Sequence, residues 1–152
     1  MNLTKSKTFI PSMSAEAINA VRELESAALQ HEQEPLVTHH VIHSGVYLRT
    51  IRLNAGLIIT GALIKTDTTL IINGDVMIYL DGEPTRFEGY NVVPARAGRK
   101  QAIFANEDTD LTMLFGTNAT NVEDAENQFT DEVSKLISNK EDGRNTILVT
   151  GA

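Results

Sequence analysis

The central part of the chain, residues 36–116, consists of short runs of β-forming residues with turn residues between them. Val, Ile, Leu, Thr, Tyr and Phe dominate eight such runs, and these residue types favour strands. The runs are VTHHVI, VYLRTIRL, LIITGALI, TLIIN, DVMIYL, RFEGYNVV, QAIFA and LTMLFG. Seven or eight strands at this even spacing predict a sandwich or barrel, because no helical segment intervenes to support a parallel α/β sheet.

Two of the intervening turns contain dipeptides that are typical of tight hairpins. Asn73-Gly74 and Asp81-Gly82 tolerate the positive φ values that such hairpins require. We therefore expect one hairpin between TLIIN and DVMIYL and another between DVMIYL and RFEGYNVV.

Both ends of the chain contain a predicted helix. The first spans residues 15–31, with Ser14 as its N-cap and apolar residues at helical spacing, and it follows an extended arm over residues 1–13. The second runs from about 123 to 138, with Thr120 or Asn121 as its cap. Its apolar face consists of Phe129, Val133, Leu136 and Ile137. We expect this face to dock on the outside of the barrel or on a partner. The apolar run 147–150 is either an added strand, on this barrel or a partner, or a frayed end.

Composition limits the class of protein. The chain has 152 residues, enough for one sizeable core, and 41% are hydrophobic. Its formal net charge of −7, with basic residues that are not gathered in sequence, argues against a nucleic-acid partner. It contains no cysteine, no apolar run long enough to span a membrane and no signal-peptide core, so we expect no membrane partner and a cytoplasmic protein.

Three stretches resemble cupin-domain proteins, in particular the small cupin-like proteins encoded by tailed bacteriophages. They are HHVIHSGVYLRTIRLNAGLIITGALIK, IINGDVMIYLDGE and VVPARAGRKQAIFANEDTDLTMLFGTN. The likeness covers roughly residues 38–137 and rests on turn glycines and their spacing. It implies a mainly β fold, a cupin-like double-stranded β-helix or jelly-roll barrel with an N-terminal and a C-terminal helix. The expected organisation is one domain: arm and helix over 1–35, barrel over 36–118, helix and strand-like tail over 119–152.

In metal-binding cupins, the strand after the Gly-x-x turn carries two histidines, and a later strand carries another. Here Ile64 and Thr68 stand where the resemblance places the imidazoles, and no histidine occurs around residues 99–104. An isoleucine supplies no donor to a metal ion. We therefore expect no cofactor, no catalytic metal and no catalytic residues.

Three of the four histidines lie in the run HHVIH. Because side chains alternate along a strand, His39 and His43 should share one face and His40 the other. If the chain binds a metal ion, His39 and His43 are its candidate ligands. The alternative is that all three histidines are surface or strand-pairing residues.

A small anionic ligand at the barrel mouth is the binding hypothesis that the residues favour. The candidate contacts are Tyr90, Arg96, Arg99 and Lys100, the last three around the turn Pro94 to Gly98. A solvated basic turn is the alternative.

Three functions remain open at this stage. The first is a non-catalytic, metal-free assembly or binding module, a phage virion component or accessory protein that forms a homo-oligomer and contacts other virion or host proteins. Its expected location is the host cytoplasm, or the virion after assembly. The second is a small anionic-ligand-binding protein, and the third is a metal-dependent enzyme that uses His39, His40 and His43. The fold alone does not choose among them.

Overall fold

A computed structural model describes residues 9–81, 83–140 and 143–150. As predicted, the fold is mainly β with a helix towards each end. The strands are β1 Val37–His43, β2 Val46–Leu53, β3 Ile58–Thr60, β4 Thr68–Leu80, β5 Glu83–Ala95, β6 Ala102–Ala105, β7 Thr109–Gly116 and β8 Arg144–Val149. The helices are α1 Ala15–Ala28 and α2 Val122–Phe129, and two short 3₁₀ turns follow α2 at Val133–Lys135 and Ile137–Asn139. Within the described residues, no helix is long and apolar enough to cross a membrane.

The strands form two facing layers that share β4 and β5. The front layer has the order β8, β1, β2, β7, then residues 68–73 of β4 and residues 90–95 of β5. The back layer has the order β3, β6, then residues 75–80 of β4 and residues 83–88 of β5. Apart from β8, which runs parallel to β1, all pairs are antiparallel. Two long strands passing through both layers, with non-consecutive strands beside them, give the cupin-like double-stranded β-helix.

The predicted hairpin at Asn73-Gly74 is wrong, because β4 passes through this point without turning. Gly74 pairs with Gly89 of β5, at the place where both strands cross from one layer to the other. A Cβ on Gly74 would clash with Oγ1 of Thr109. The backbone φ of Gly74 is 152°, a value that residues with a side chain rarely adopt. The glycine therefore serves a close strand crossing instead of a turn. The second predicted hairpin includes Gly82, which lies outside the described residues.

The core lies between the two layers and follows the alternation of the strands. Leu70, Ile72, Val76 and Ile78 of β4 are buried, and they belong to one core cluster with buried residues of β5 and β7. This alternation continues through Gly74, as expected for a single strand.

Helix α1 packs on the outer side of the back layer. It begins where predicted, since the Ser14 side chain accepts a hydrogen bond from the Ala17 N–H at 3.1 Å, but ends at Ala28 instead of residue 31. Its buried residue Val21 packs in a cluster with Ala102 of β6 and with Tyr79 of β4.

The C-terminal helix is shorter than predicted and docks differently. Helix α2 is capped by Asn121 and ends at Phe129, because Thr130 adopts an extended conformation and its hydroxyl donates to the Leu63 carbonyl at 2.7 Å. The Phe129 ring lies within the barrel core, with its centroid 6.3 Å from that of Tyr47, and not on the outside of the barrel. The segment therefore closes one end of the barrel.

The tail forms a strand on this barrel, which was one of the three predicted possibilities. Residues Arg144–Val149 pair in parallel with β1, and all six are exposed. Strand β8 is the edge of the front layer.

Candidate functional site

A cavity of about 120 Å³ lies inside the barrel, between the layers and beneath the segment that follows α2. Its apolar wall comes from both layers and from that segment: Ile51, Ile59, Ala62, Ile64, Leu70, Ile103, Leu111, Met113, Phe129, Leu136 and Ile137. Its polar lining has five donor-bearing side chains, those of Arg49, Thr60, Arg99, Gln101 and Lys135. A larger groove of about 300 Å³ lies between α1 and the C-terminal segment. Within the described residues, no buried polar atom that lacks a hydrogen-bond partner belongs to the lining of this groove.

The segment that leads into β6 places charged residues on both sides of the back layer. Side chains alternate, so Arg99 and Gln101 line the cavity, whereas Lys100 between them contacts Glu25 of α1. Two adjacent basic residues therefore have separate surroundings.

Arg99 is 1% exposed, and only two of its three guanidinium nitrogens have a hydrogen-bond partner. Its NH1 donates to the Arg96 carbonyl at 2.6 Å and its NH2 to the Thr68 hydroxyl at 2.5 Å. Its Nε has no hydrogen-bond partner. Burial lowers the pKa of Arg99 to about 10, which leaves the guanidinium charged at neutral pH.

Gln101 is the second donor of this wall. Its side chain is buried, and Nε2 has no hydrogen-bond partner. Because burying an amide without a partner costs free energy, two orphaned donors on one cavity wall indicate a missing acceptor.

The opposite wall carries an ion pair whose carboxylate is fully used. Arg49 NH1 donates to Glu126 at 2.9 Å, and both side chains are nearly buried. Glu126 also accepts from the Ser138 hydroxyl at 2.6 Å and from the Asn139 amide at 3.1 Å. Arg49 lies 5.7 Å from the centroid of the Phe129 ring. The ion pair therefore holds α2, and the segment that follows it, against β2.

The structure separates the four residues predicted to bind a ligand at the barrel mouth. Arg99 lines the cavity. Arg96 is exposed, lies 3.5 Å from Asp67 and stacks over the Phe9 ring. Tyr90 is 67% exposed on the outer side of β5. Lys100 is buried behind the cavity wall, so these residues do not form one cluster.

Lys100 belongs to a charge network that joins α1 to the C-terminal segment. Its ammonium, 0% exposed, donates to Glu25 and to the Gly61 carbonyl, both at 2.8 Å, and lies 3.8 Å from Glu132. Burial alone would raise the pKa of Glu132, but hydrogen bonds from Lys135, the Leu63 N–H and Arg22 lower it to about 2. Glu132 is therefore ionised across the whole physiological range.

His40 faces inward and bridges the tail to the barrel. Its Nδ1 lies 2.7 Å from the Tyr47 hydroxyl, and its Nε2 lies 2.7 Å from Oδ1 of Asn145 on β8. An amide oxygen accepts only, so Nε2 carries the proton and Nδ1 accepts from Tyr47. Burial lowers the pKa of His40, which keeps the ring neutral.

The three clustered histidines do not converge. His39 and His43 share the outer face of β1, as predicted, and bond to the Thr146 and Thr150 hydroxyls, whereas His40 is on the inner face. Among residues 9–81, 83–140 and 143–150, no three His, Cys, Asp or Glu side chains are grouped to hold a metal ion. Ile64 lines the cavity and Thr68 accepts from Arg99. The donors of this wall, a guanidinium and an amide N–H, do not fit a divalent cation.

Acidification should destabilise the protein through His40. The folded-state pKa lies below the ordinary value of 6.5, so the unfolded chain binds more protons as pH falls through about 6.5. The free energy of unfolding should then fall by up to about 1.4 kcal/mol per pH unit. Urea unfolding at several pH values between 7.5 and 5.5 measures it. His40→Gln should flatten the slope, and His39→Gln on the exposed face should keep it; equal slopes in both variants would contradict this assignment.

Sequence reasoning missed Arg49, Gln101 and Glu126. Strand alternation contained a signal for the first, because Arg49 lies between the inward positions Tyr47 and Ile51 of β2. Gln101 likewise begins the apolar run QAIFA in phase with Ile103. Glu126 carried no such signal, since it interacts with residues far away in the chain.

No family model matches the sequence, and no curated protein matches it. Solved structures show partial likeness. A cupin superfamily protein from Desulfitobacterium hafniense is 16% identical, with 60% of this chain and 87% of that chain covered and a TM-score of 0.47. KdgF from Halomonas sp. is 16% identical, with 64% and 95% covered and a TM-score of 0.48. Salicylate 1,2-dioxygenase from Pseudaminobacter salicylatoxidans is 14% identical, with 65% and 31% covered and a TM-score of 0.48.

These likenesses concern the fold and carry no inference about activity. The strand order of the two layers, together with the cavity between them, defines a cupin-like barrel protein. In this protein the cavity of the barrel is lined by hydrogen-bond donors, α1 packs on the back layer, and α2 closes one end of the barrel.

Proposed function

We propose that this protein is a non-catalytic, cupin-like binding module whose barrel cavity takes a small carboxylate with an apolar body. One observation carries the proposal: the buried Nε of Arg99 and Nε2 of Gln101 lack partners and belong to the same cavity wall. A carboxylate accepts several hydrogen bonds at once and pairs with a guanidinium.

The rest of the lining selects the body of the ligand. The wall is mostly aliphatic, with the Phe129 ring on one side. A volume of about 120 Å³ is close to that of an engineered protein cavity, about 150 Å³, that holds benzene. Butyrate, which like benzene has six non-hydrogen atoms, therefore matches the site in both size and charge, and benzoate tests a larger aromatic body.

The polar groups of the cavity support binding instead of catalysis. Among the described residues that line it, none is His, Asp or Glu, so the lining offers no general base. The nearby Glu126 carboxylate already accepts from Arg49, Ser138 and Asn139. A cavity whose charged groups are cationic donors holds an anion and leaves it unchanged.

A melting experiment with two related probes tests the proposal. We expect sodium benzoate to raise the melting temperature and benzyl alcohol, of similar shape but uncharged, to raise it far less. At one hundred times the dissociation constant, a ligand adds about 2.7 kcal/mol to the free energy of unfolding. Titration calorimetry should give one site per chain. No shift with benzoate or butyrate, or equal shifts with benzyl alcohol, would contradict a carboxylate site.

Gln101→Leu separates binding from folding. The variant removes the orphaned donor, so the ligand-free protein should be as stable as wild type or more stable by about 1 kcal/mol, while benzoate affinity falls. Gln30→Leu, which changes an exposed glutamine two residues after α1, is the matched control and should retain wild-type affinity. Unchanged affinity in Gln101→Leu would remove this residue from the site.

An assembly role is the second candidate, and the edge strand β8 favours it. All residues of β8 are exposed, including the large apolar Ile147 and Leu148, and an open strand edge is a template for pairing. A phage origin, contacts with virion or host proteins, and a location in the host cytoplasm or the virion are parts of this proposal. They rest on the sequence resemblance.

A further inference from the structure

The cavity inside the barrel is continuous with the larger groove outside it. The two share four lining residues: Ile59 and Thr60 of β3, and Lys135 and Ile137 of the segment that follows α2. Strand β3 is the edge of the back layer, and α1 packs on the outer side of that layer. A ligand chain can therefore leave the cavity around this edge and enter the groove beside α1.

The lining of the groove is suited to an apolar group. It includes three large apolar side chains that the described residues leave exposed, since Leu24 is 37%, Leu29 is 59% and Ile58 is 47% exposed. Leu36 and Leu57 add buried and half-buried apolar surface. The unpartnered buried donors, by contrast, belong to the cavity. A continuous apolar surface of this kind marks a binding groove.

The two unpartnered donors lie on the inner side of the opening between cavity and groove. Gly61 directly follows Thr60, and its N–H donates to the Gln101 carbonyl at 2.8 Å. Gln101 is therefore beside the opening, and Arg99 lies two residues further from it. Ile59 lines the path from these donors to the groove. A carboxylate held by both donors leaves its alkyl end free to follow this apolar path.

The polar groups at the opening do not compete for the carboxylate. The Lys135 ammonium lies 2.9 Å from Glu132 and 3.6 Å from Glu25. The Thr60 hydroxyl donates to Glu25 at 3.4 Å. Both groups have partners within the protein, so the acceptor that Arg99 and Gln101 lack is the carboxylate of the ligand.

We propose that the groove binds the alkyl tail of the ligand whose carboxylate is held in the cavity, which makes the ligand a straight-chain fatty acid of medium length. This inference rests on the proposed function, because the carboxylate site is the one proposed above. A protein cavity of about 150 Å³ holds the six carbons of benzene, so a groove of about 300 Å³ has room for on the order of ten more carbons.

Titration calorimetry of the full chain with sodium butyrate and sodium octanoate tests the inference. Each methylene taken out of water raises the affinity about threefold, so octanoate, with four more methylenes, should bind on the order of 50-fold more tightly. Octanol has the same tail without the carboxylate and should bind far more weakly than octanoate. Gln101→Leu should weaken both acids by the same factor, because it changes only the carboxylate end of the site.

Filling the groove should remove the gain from the longer chain. Ala28 lines the groove, so Ala28→Phe should reduce octanoate affinity roughly tenfold or more and leave butyrate affinity unchanged. Ala27→Phe is the matched control, because Ala27 is exposed on the same turn of α1 and belongs to no part of the groove lining; both affinities should stay at the wild-type value. Leu29→Asp places a negative charge beside the tail and serves as a second groove variant if Ala28→Phe fails to fold.

The outcomes separate this inference from the proposed function. If neither acid binds, or octanol binds as tightly as octanoate, the carboxylate site is wrong and the tail site falls with it. If butyrate binds and octanoate binds no more tightly, the groove is not part of the site, and the carboxylate site alone remains. A gain for octanoate that persists in both Ala28→Phe and Leu29→Asp, or octanoate binding that Gln101→Leu leaves unchanged, would also overturn the inference.

Discussion

Replacing Lys100 with methionine should destabilise the fold by about 3–5 kcal/mol, the cost of removing one partner from a buried ion pair. The ammonium is 0% exposed, and it is the cation that faces both Glu25 and Glu132 from the back layer. Methionine keeps the length and apolar stem of the side chain, so the loss reports the charge. Denaturant unfolding at pH 7 measures it.

Lys65→Met is the matched control. Lys65 pairs with Asp131 at 2.6 Å, but both side chains are substantially exposed, and such pairs contribute about 0–1 kcal/mol. Adding Glu25→Gln to Lys100→Met should recover part of the loss, because Glu25 is the carboxylate that loses its 2.8 Å ion pair, whereas Glu132 keeps Lys135 and Arg22. If Lys100→Met lowered the free energy of unfolding by less than about 1 kcal/mol, Lys100 would behave like a member of an exposed ion pair, and its burial would be contradicted.

The network around Lys100 also shows where sequence reasoning stops. Composition and strand alternation predicted most of the strands, since that signal is local and repeats every two residues. The environment of Lys100 depends on Glu25, 75 residues away in the chain. No local pattern distinguishes such a lysine from a solvated one in a basic turn.

Gly74 illustrates a second limit. Asn-Gly is a strong hairpin signal, and it failed because the same glycine also permits a backbone to approach closely. The reason lies in Thr109 of β7, whose Oγ1 donates to the Glu107 carbonyl at 2.9 Å and accepts from the Asp75 N–H at 3.0 Å. The close approach of Gly74 to Thr109 exists only after β4 and β7 have paired.

The candidate site was predicted in part. Arg99 was named as a ligand contact and lines the cavity, but Tyr90 and Arg96 are exposed and Lys100 is directed away. The prediction grouped residues by their distance along the chain. Strand alternation places neighbours such as Arg99 and Lys100 on opposite sides of the layer. The site is therefore formed by the residues whose side chains point inward, which include Gln101 as well as Arg99.

Phe129→Ala should also cost about 3–5 kcal/mol, because it leaves a cavity in the part of the core where α2 closes the barrel. The ring is 1% exposed and lies between aromatic residues of the front layer, with centroids 6.3 Å from Tyr47 and 6.0 Å from Phe115. It also supports the Arg49–Glu126 pair, since the guanidinium of Arg49 lies over its face. Urea unfolding of the ligand-free protein measures the loss.

Phe104→Ala is the control for the chemistry of the substitution, because Phe104 is 40% exposed and should lose less than about 1 kcal/mol, a typical surface cost. The cavity itself provides a second readout. Truncation of Phe129 joins the volume of its ring to the existing 120 Å³, so benzene should raise the melting temperature of Phe129→Ala more than that of wild type. A loss below about 1 kcal/mol with no response to benzene would mean that the ring is not enclosed, and that α2 lies outside the barrel as its sequence alone suggests.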